Sequence, residues 1–131
     1  MNVLDRFELI QLHDQFLRRI SIDVENHICR LEFDCAWILN DPPQSMFDCQ
    51  VCFKPATLEF TGLSAVRFPE GYTLNAQVAD SASKLTERPD QVCFSVDLMG
   101  GRGDEFMRTI EIIAKDFSLS GTVVEFPPTD S

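Results

Sequence analysis

The alternation of apolar and polar residues between Ile20 and Trp37 constrains the fold more than any other feature of the chain. Cys29, Leu31, Phe33, Cys35 and Trp37 share one parity; Arg30, Glu32 and Asp34 share the other. A helical repeat would scatter these residues around its surface. A strand sorts them into one buried and one solvated face. Ile20, Ile22 and Val24 alternate likewise with Arg19, Ser21, Asp23 and Glu25, and Glu25-Asn26-His27 between the runs is a turn candidate. Two such runs joined by a polar turn predict an antiparallel hairpin.

The rest of the chain continues in short pieces. Val3, Phe7 and Ile10 have the spacing of one helical face and predict a short N-terminal helix. Asn40-Asp41-Pro42-Pro43 interrupts the alternation, and Cys49, Val51 and Phe53 resume it. Pro55 has no N–H for a ladder, so it is expected to end that strand or hold it at an edge. Leu58 and Phe60 give a short run closed by Gly62, and the stretch from Val66 to Val78 is broken at Pro69-Glu70-Gly71. Polar Asp80 to Asp90 reads as a surface loop or a short helical turn. Val92, Phe94, Val96 and Leu98 form a clean strand pattern before the turn Gly100-Gly101-Arg102-Gly103-Asp104.

Phe106 to Phe117 fits two patterns. Phe106, Ile110, Ile113 and Phe117 make a helical stripe with Asp104 as N-cap, whereas the β-branched Thr109, Ile110, Ile112 and Ile113 favour a strand. The strand is the preferred reading, with a helix at 105–117 as the alternative. Gly121 to Phe126 is expected to be a last short strand, and Pro127-Pro128 starts a tail. The pattern predicts a mainly β fold, an antiparallel sandwich or strongly curved sheet of about seven or eight strands. The alternative is an α+β fold. No linker divides the chain, so residues 1–131 are expected to form a single domain.

Charge narrows the partners. Twenty-one acidic residues against 11 Lys and Arg give a formal net charge of -10. Nucleic acids and anionic membranes attract the opposite balance; a basic protein is compatible with this one. No run reaches the ~18 apolar residues of a membrane span. Met1 to Ile10 carries Asp5, Arg6 and Glu8 and no apolar core of a signal, so a cytoplasmic protein is expected. There Cys29, Cys35, Cys49, Cys52 and Cys93 should be free and mostly buried thiols. Eleven Phe beside one Trp and one Tyr predict a Phe-packed core.

Candidate sites each meet an obstacle. Cys49-Gln50-Val51-Cys52 has CxxC spacing, but residues three apart on a strand point to opposite faces, so neither a redox pair nor a metal site is expected. His13-Asp14 pairs an imidazole with a carboxylate, the elements of a general base, yet no second His or nucleophile stands nearby. His13 bonded to backbone is the simpler role. The Gly100 turn lacks the Lys and hydroxyl of a phosphate loop, and its Arg102-Gly103-Asp104 matches an adhesion tripeptide of little use without export. Arg102 and Asp104 remain possible contacts at a loop tip. Asp23, Glu25, Glu32 and Asp34 are expected on the outer face of the first hairpin. They either steer a basic partner or form an ordinary solvated face with Arg19 and Arg30 interleaved. No catalytic residue, metal or cofactor is expected.

Leu12-His13-Asp14, followed by Ile20-Ser21-Ile22-Asp23, Leu31-Glu32-Phe33-Asp34 and Val51-Cys52-Phe53-Lys54, resembles a diffuse group of small bacterial proteins that open on Leu-His-Asp before two alternating strands. Gln15 departs from the small residue such members carry there. Some members resemble immunity proteins of polymorphic toxin systems. The resemblance implies a non-enzymatic binding protein that neutralises a basic partner by occlusion. The other readings are a small-molecule binder or enzyme with a pocket in the curved sheet, and a homo-oligomeric structural subunit assembled through edge strands.

Overall fold

The computed structural model describes residues 2–45, 48–69, 76–99 and 107–124. These form one helix, α1 (Val3–Glu8), and ten strands: β1 (Ile10–Gln11), β2 (Leu17–Asp23), β3 (Ile28–Phe33), β4 (Ala36–Leu39), β5 (Cys49–Thr61), β6 (Ala65–Arg67), β7 (Gln77–Leu85), β8 (Val92–Met99), β9 (Met107–Ala114) and β10 (Asp116–Val123). One antiparallel sheet has the order β1-β4-β5-β3-β2 with β10 also on β5, and the other the order β6-β9-β8-β7. The chain is the mainly β antiparallel sandwich that the alternation predicts. It has more strands than the about seven or eight expected because very short strands carry weak patterns.

β3 and β4 are two halves of one rail along β5. Phe33 pairs with Ala56 and Ala36 with Phe53, so the register runs unchanged across the gap at Asp34-Cys35. That gap accommodates Pro55. Contrary to expectation, Pro55 neither ends its strand nor lies at an edge: β5 passes through it with β3 and β4 on one flank and β10 on the other. The ladder is irregular on both flanks instead, at Asp34-Cys35 and at the register shift between Gly121 and Val123.

The expected hairpin forms between β2 and β3, with Ile22 opposite Cys29 and Ile20 opposite Leu31. The segment at 105–117 takes no helix within its described part. Ile110 and Ile112 are fully buried while Ile113, on the opposite face, is only half-buried, so the helical spacing of Ile110 and Ile113 was fortuitous. Only Lys115 then separates β9 from β10, and the chain crosses from one sheet to the other. β5 and β6 make the same crossing at Gly62, whose φ is +64°. The paired crossing is one bent ribbon that forms a corner of the sandwich. The last strand accordingly begins at Asp116, earlier than the predicted Gly121. Asp80 to Leu85, expected as loop, lies within β7, an edge strand whose outward residues are free to be polar.

The core is Phe-packed. Phe60 of β5 and Phe94 of β8 meet across the two sheets with ring centroids 4.9 Å apart. Phe7 of α1 inserts beside them, 5.0 Å from Phe94 and 5.1 Å from Phe117. Asn2 caps the helix by accepting the Asp5 N–H at 2.8 Å. No helix among the described residues is long and apolar enough to cross a membrane.

Candidate functional site

β1 and β2 run along the β4–β3 rail, but residues 12–15 leave it, and the chain rejoins it at Phe16, whose carbonyl accepts the Asp34 N–H at 3.3 Å. The detour crosses to the other sheet and stitches onto β7. Asp14 N–H donates to Val78 O at 2.8 Å, Val78 N–H to Gln15 O at 2.8 Å, and Leu17 N–H to Ala76 O at 3.0 Å. Leu12 anchors the detour in the core, and Asp14 turns it with φ +66°.

His13 takes part in this stitch. Its Nδ1 lies 2.8 Å from Ala79 O. A carbonyl only accepts, so Nδ1 carries the proton. Nε2 faces Asp14 at 3.4 Å. Ser81 lines the same groove, but no hydrogen bond joins its hydroxyl to His13 among the described residues. The nucleophile–base contact of acyl transfer is therefore not assembled.

Two clefts flank the stitch and divide the His13-Asp14 pair between them. Glu8, Gln11, His13, Asp80 and Ser81 border a groove of about 330 Å3. On the other side Asp14, Phe16, Asp34, Cys35, Trp37 and Lys54 border a cleft of about 600 Å3. At its border Arg18 grips Asp34 with two hydrogen bonds, of 2.6 and 2.7 Å, and its guanidinium lies 5.1 Å from the Phe16 ring centroid. The Arg18 hydrogen bonds hold the Asp34 carboxyl below the usual carboxylate range.

The remaining predicted acids are dispersed. Glu32 lies on the outer face of its sheet 3.5 Å from Arg19, and Arg30 on the same face meets Glu59 at 2.8 Å. Asp23 closes the β2–β3 turn, accepting Asn26 N–H at 3.1 Å and Asn26 Nδ2 at 2.8 Å, which lowers its pKa. Glu25 is exposed in that turn. Arg102 and Asp104 lie outside the described residues. Cys52 contacts Cys35 rather than Cys49, with the two Sγ atoms 3.3 Å apart. Among the described residues no group of His, Cys, Asp and Glu is arranged to hold a metal.

The sequence reading missed the acids of the second sheet. Asp80 of β7 and Asp97 of β8 are direct cross-strand partners on the outer face. Like charges directly opposite in a sheet destabilise it. No cation lies within ion-pair distance of Asp80, Asp97 or Glu8 among the described residues. Recognising β7 as a strand would have exposed the pair. Neither protein-family models nor curated proteins give a match to this chain.

Proposed function

We propose that the protein is a cytoplasmic, non-enzymatic binding module of the immunity type, which neutralises a basic protein by covering it. The binding surface is the groove bordered by Glu8, His13 and Asp80, together with the adjoining Asp97.

The supporting observation is the uneven use of charge. On the first sheet Arg18, Arg19 and Arg30 are each taken up by a carboxylate, Asp34, Glu32 and Glu59 respectively. On the second sheet Asp80 and Asp97 are cross-strand partners with no cation at ion-pair distance among the described residues. Asp97 accepts the Thr109 hydroxyl and Asp80 the Ser81 N–H, neutral donors that leave both charges in place. A Lys or Arg from a partner docked there replaces repulsion by attraction, and the excess charge speeds encounter. Met99 and Met107, both exposed and opposite each other on β8 and β9, add adaptable apolar contacts beside the acids. The Leu12-His13-Asp14 resemblance supports the immunity class.

The test is affinity capture from the source cells with the wild-type chain and with an Asp80→Lys/Asp97→Lys variant. The reading predicts a basic protein whose activity stops on binding, whose retention falls with salt, and which the variant loses. Recovery of no protein, or equal retention by the variant, overturns it. A small-molecule reading draws on the cleft beside Phe16 and Trp37; a ligand shifting Trp37 fluorescence without any protein partner would favour it.

A further inference from the structure

We infer that Cys35 and Cys52 form a modification site of their own: a dithiol that a small disulfide or a peroxide converts into an internal disulfide bond, stapling the β3–β4 rail to β5.

The geometry carries this. The two Sγ atoms are 3.3 Å apart and both residues are buried. A disulfide requires an S–S separation of about 2.05 Å, so the sulfurs must approach by only a little more than an ångström. The backbone can absorb that approach. Cys35 sits in the gap between β3 and β4, outside both ladders, while Cys52 is held on β5 opposite Trp37. Cys35 therefore moves without breaking a paired strand. None of the other cysteines has a sulfur within contact of a second one among the described residues.

Access is one-sided. Cys35 lines the cleft beside Trp37 and Lys54, whereas Cys52 does not border it. Burial pushes the Cys52 thiol up to about 11, which makes it a poor first nucleophile. The order of steps follows. Cys35 as thiolate attacks a small disulfide RSSR from the cleft, forming a mixed disulfide and releasing RS⁻, which takes up the proton Cys35 lost. Cys52 then loses its proton and attacks Cys35 Sγ, expelling the second RS⁻, which takes that proton. The protein loses two hydrogens, RSSR becomes two RSH, and the two electrons pass to the small disulfide. With hydrogen peroxide Cys35 becomes a sulfenic acid, and Cys52 displaces water from it. In a reducing compartment the bond forms under oxidising load and is reversed by thiols.

The bond would close a loop from Ala36 to Val51 that contains Asn40-Asp41-Pro42-Pro43. Constraining it should raise the thermal midpoint by roughly 5 °C or more. Trp37, the only Trp, is the cross-strand partner of Cys52, so the new disulfide should quench its fluorescence.

The experiment exposes the full chain to excess oxidised glutathione, counts free thiols, and maps linked peptides by mass spectrometry. Of the 5 thiols two should disappear, in one peptide pair joining Cys35 to Cys52, with loss of Trp37 emission that dithiothreitol restores. In Cys52→Ser the oxidation should stop at a glutathione adduct on Cys35. Should that variant not fold, the wild-type map alone decides. All thiols remaining free, or a linkage of Cys49 to Cys52, overturns the inference.

Discussion

A Cβ placed on Gly121 would stand 2.1 Å from the carbonyl oxygen of Pro55 on the adjacent strand. Gly121 also has φ +150°, a backbone conformation that residues with a side chain rarely adopt. The two facts share an origin. Pro55 disturbs the ladder in the middle of β5, and β10 follows that disturbance through a register shift just after Gly121. Gly121→Ala should therefore cost about 2 kcal/mol or more, although the position is exposed and would ordinarily tolerate substitution. Urea unfolding monitored by Trp37 fluorescence checks this. A midpoint unchanged from wild type would mean that β10 does not depend on the glycine.

Ser83 presents the opposite case. It pairs with Phe94, on the inward face of β7, and its hydroxyl is buried with no hydrogen-bond partner. A buried polar group without a partner costs about 1–3 kcal/mol. Ser83→Ala should leave stability unchanged or raise it by about 1 kcal/mol, read from the same unfolding curves. A loss above about 1 kcal/mol would show that the hydroxyl is bonded in solution.

These positions show how far the residues alone could be read. The β2–β3 hairpin was legible because β3 buries one face along its whole length, Cys29, Leu31 and Phe33 alternating with half-buried Arg30 and Glu32, although across from it Ile20 is only half-buried and Ile22 is exposed. β7 was not, because its inward positions opposite Val96 and Phe94 are the polar Ser81 and Ser83, so its packed face shows no apolar alternation. Its outward Asp80, Ala82 and Lys84 carry no apolar signal. Pro55 misled because the rule against proline in a central strand is local, while the compensation is remote, at Asp34-Cys35 and Gly121. Of the candidate site, the backbone role of His13 was legible and the Asp80–Asp97 pair was not. The Cys35–Cys52 contact depends on the register between distant segments, which CxxC spacing does not report.

Acid should reveal the Arg18–Asp34 pair. Because Arg18 depresses the folded pKa of Asp34, the stabilisation is present above the unfolded carboxylate value of about 4 and lost as pH falls through the lower folded value. Asp34→Asn should be less stable than wild type near neutral pH, and the difference should shrink to nothing in strong acid. Both groups are partly exposed, so the gap should also narrow with salt. A difference independent of pH would assign the effect to packing in the Phe16 cleft instead.

Alkali should act through the buried thiols. Burial pushes Cys29 up to about 11. A folded pKa above the unfolded thiol value of about 8.5 means a contribution fully present below that value and lost as pH rises toward about 11. Wild type should lose stability over that window, and Cys29→Val, which removes the ionisable group, should lose less. Parallel decline in the two proteins would remove Cys29 as the cause.

The Asp80–Asp97 pair ties stability to function. If the two carboxylates are kept opposite each other for a cationic partner, the free protein bears a repulsion that the complex relieves. Asp80→Asn keeps the side-chain shape and removes one charge. The variant should unfold at a slightly higher temperature at low salt, by an amount corresponding to about 0.5 kcal/mol, and the gain should fade as salt screens the pair. The same variant should bind its basic partner more weakly, chiefly through slower association. Each half has its own readout: thermal unfolding of the isolated chain at two salt concentrations, and stopped-flow association with the captured partner. A gain in stability with unchanged association would leave the repulsion real but place the docking surface elsewhere on the molecule. A loss of stability would show that Asp80 supports β7 itself, through its acceptance of the Ser81 N–H at 2.8 Å.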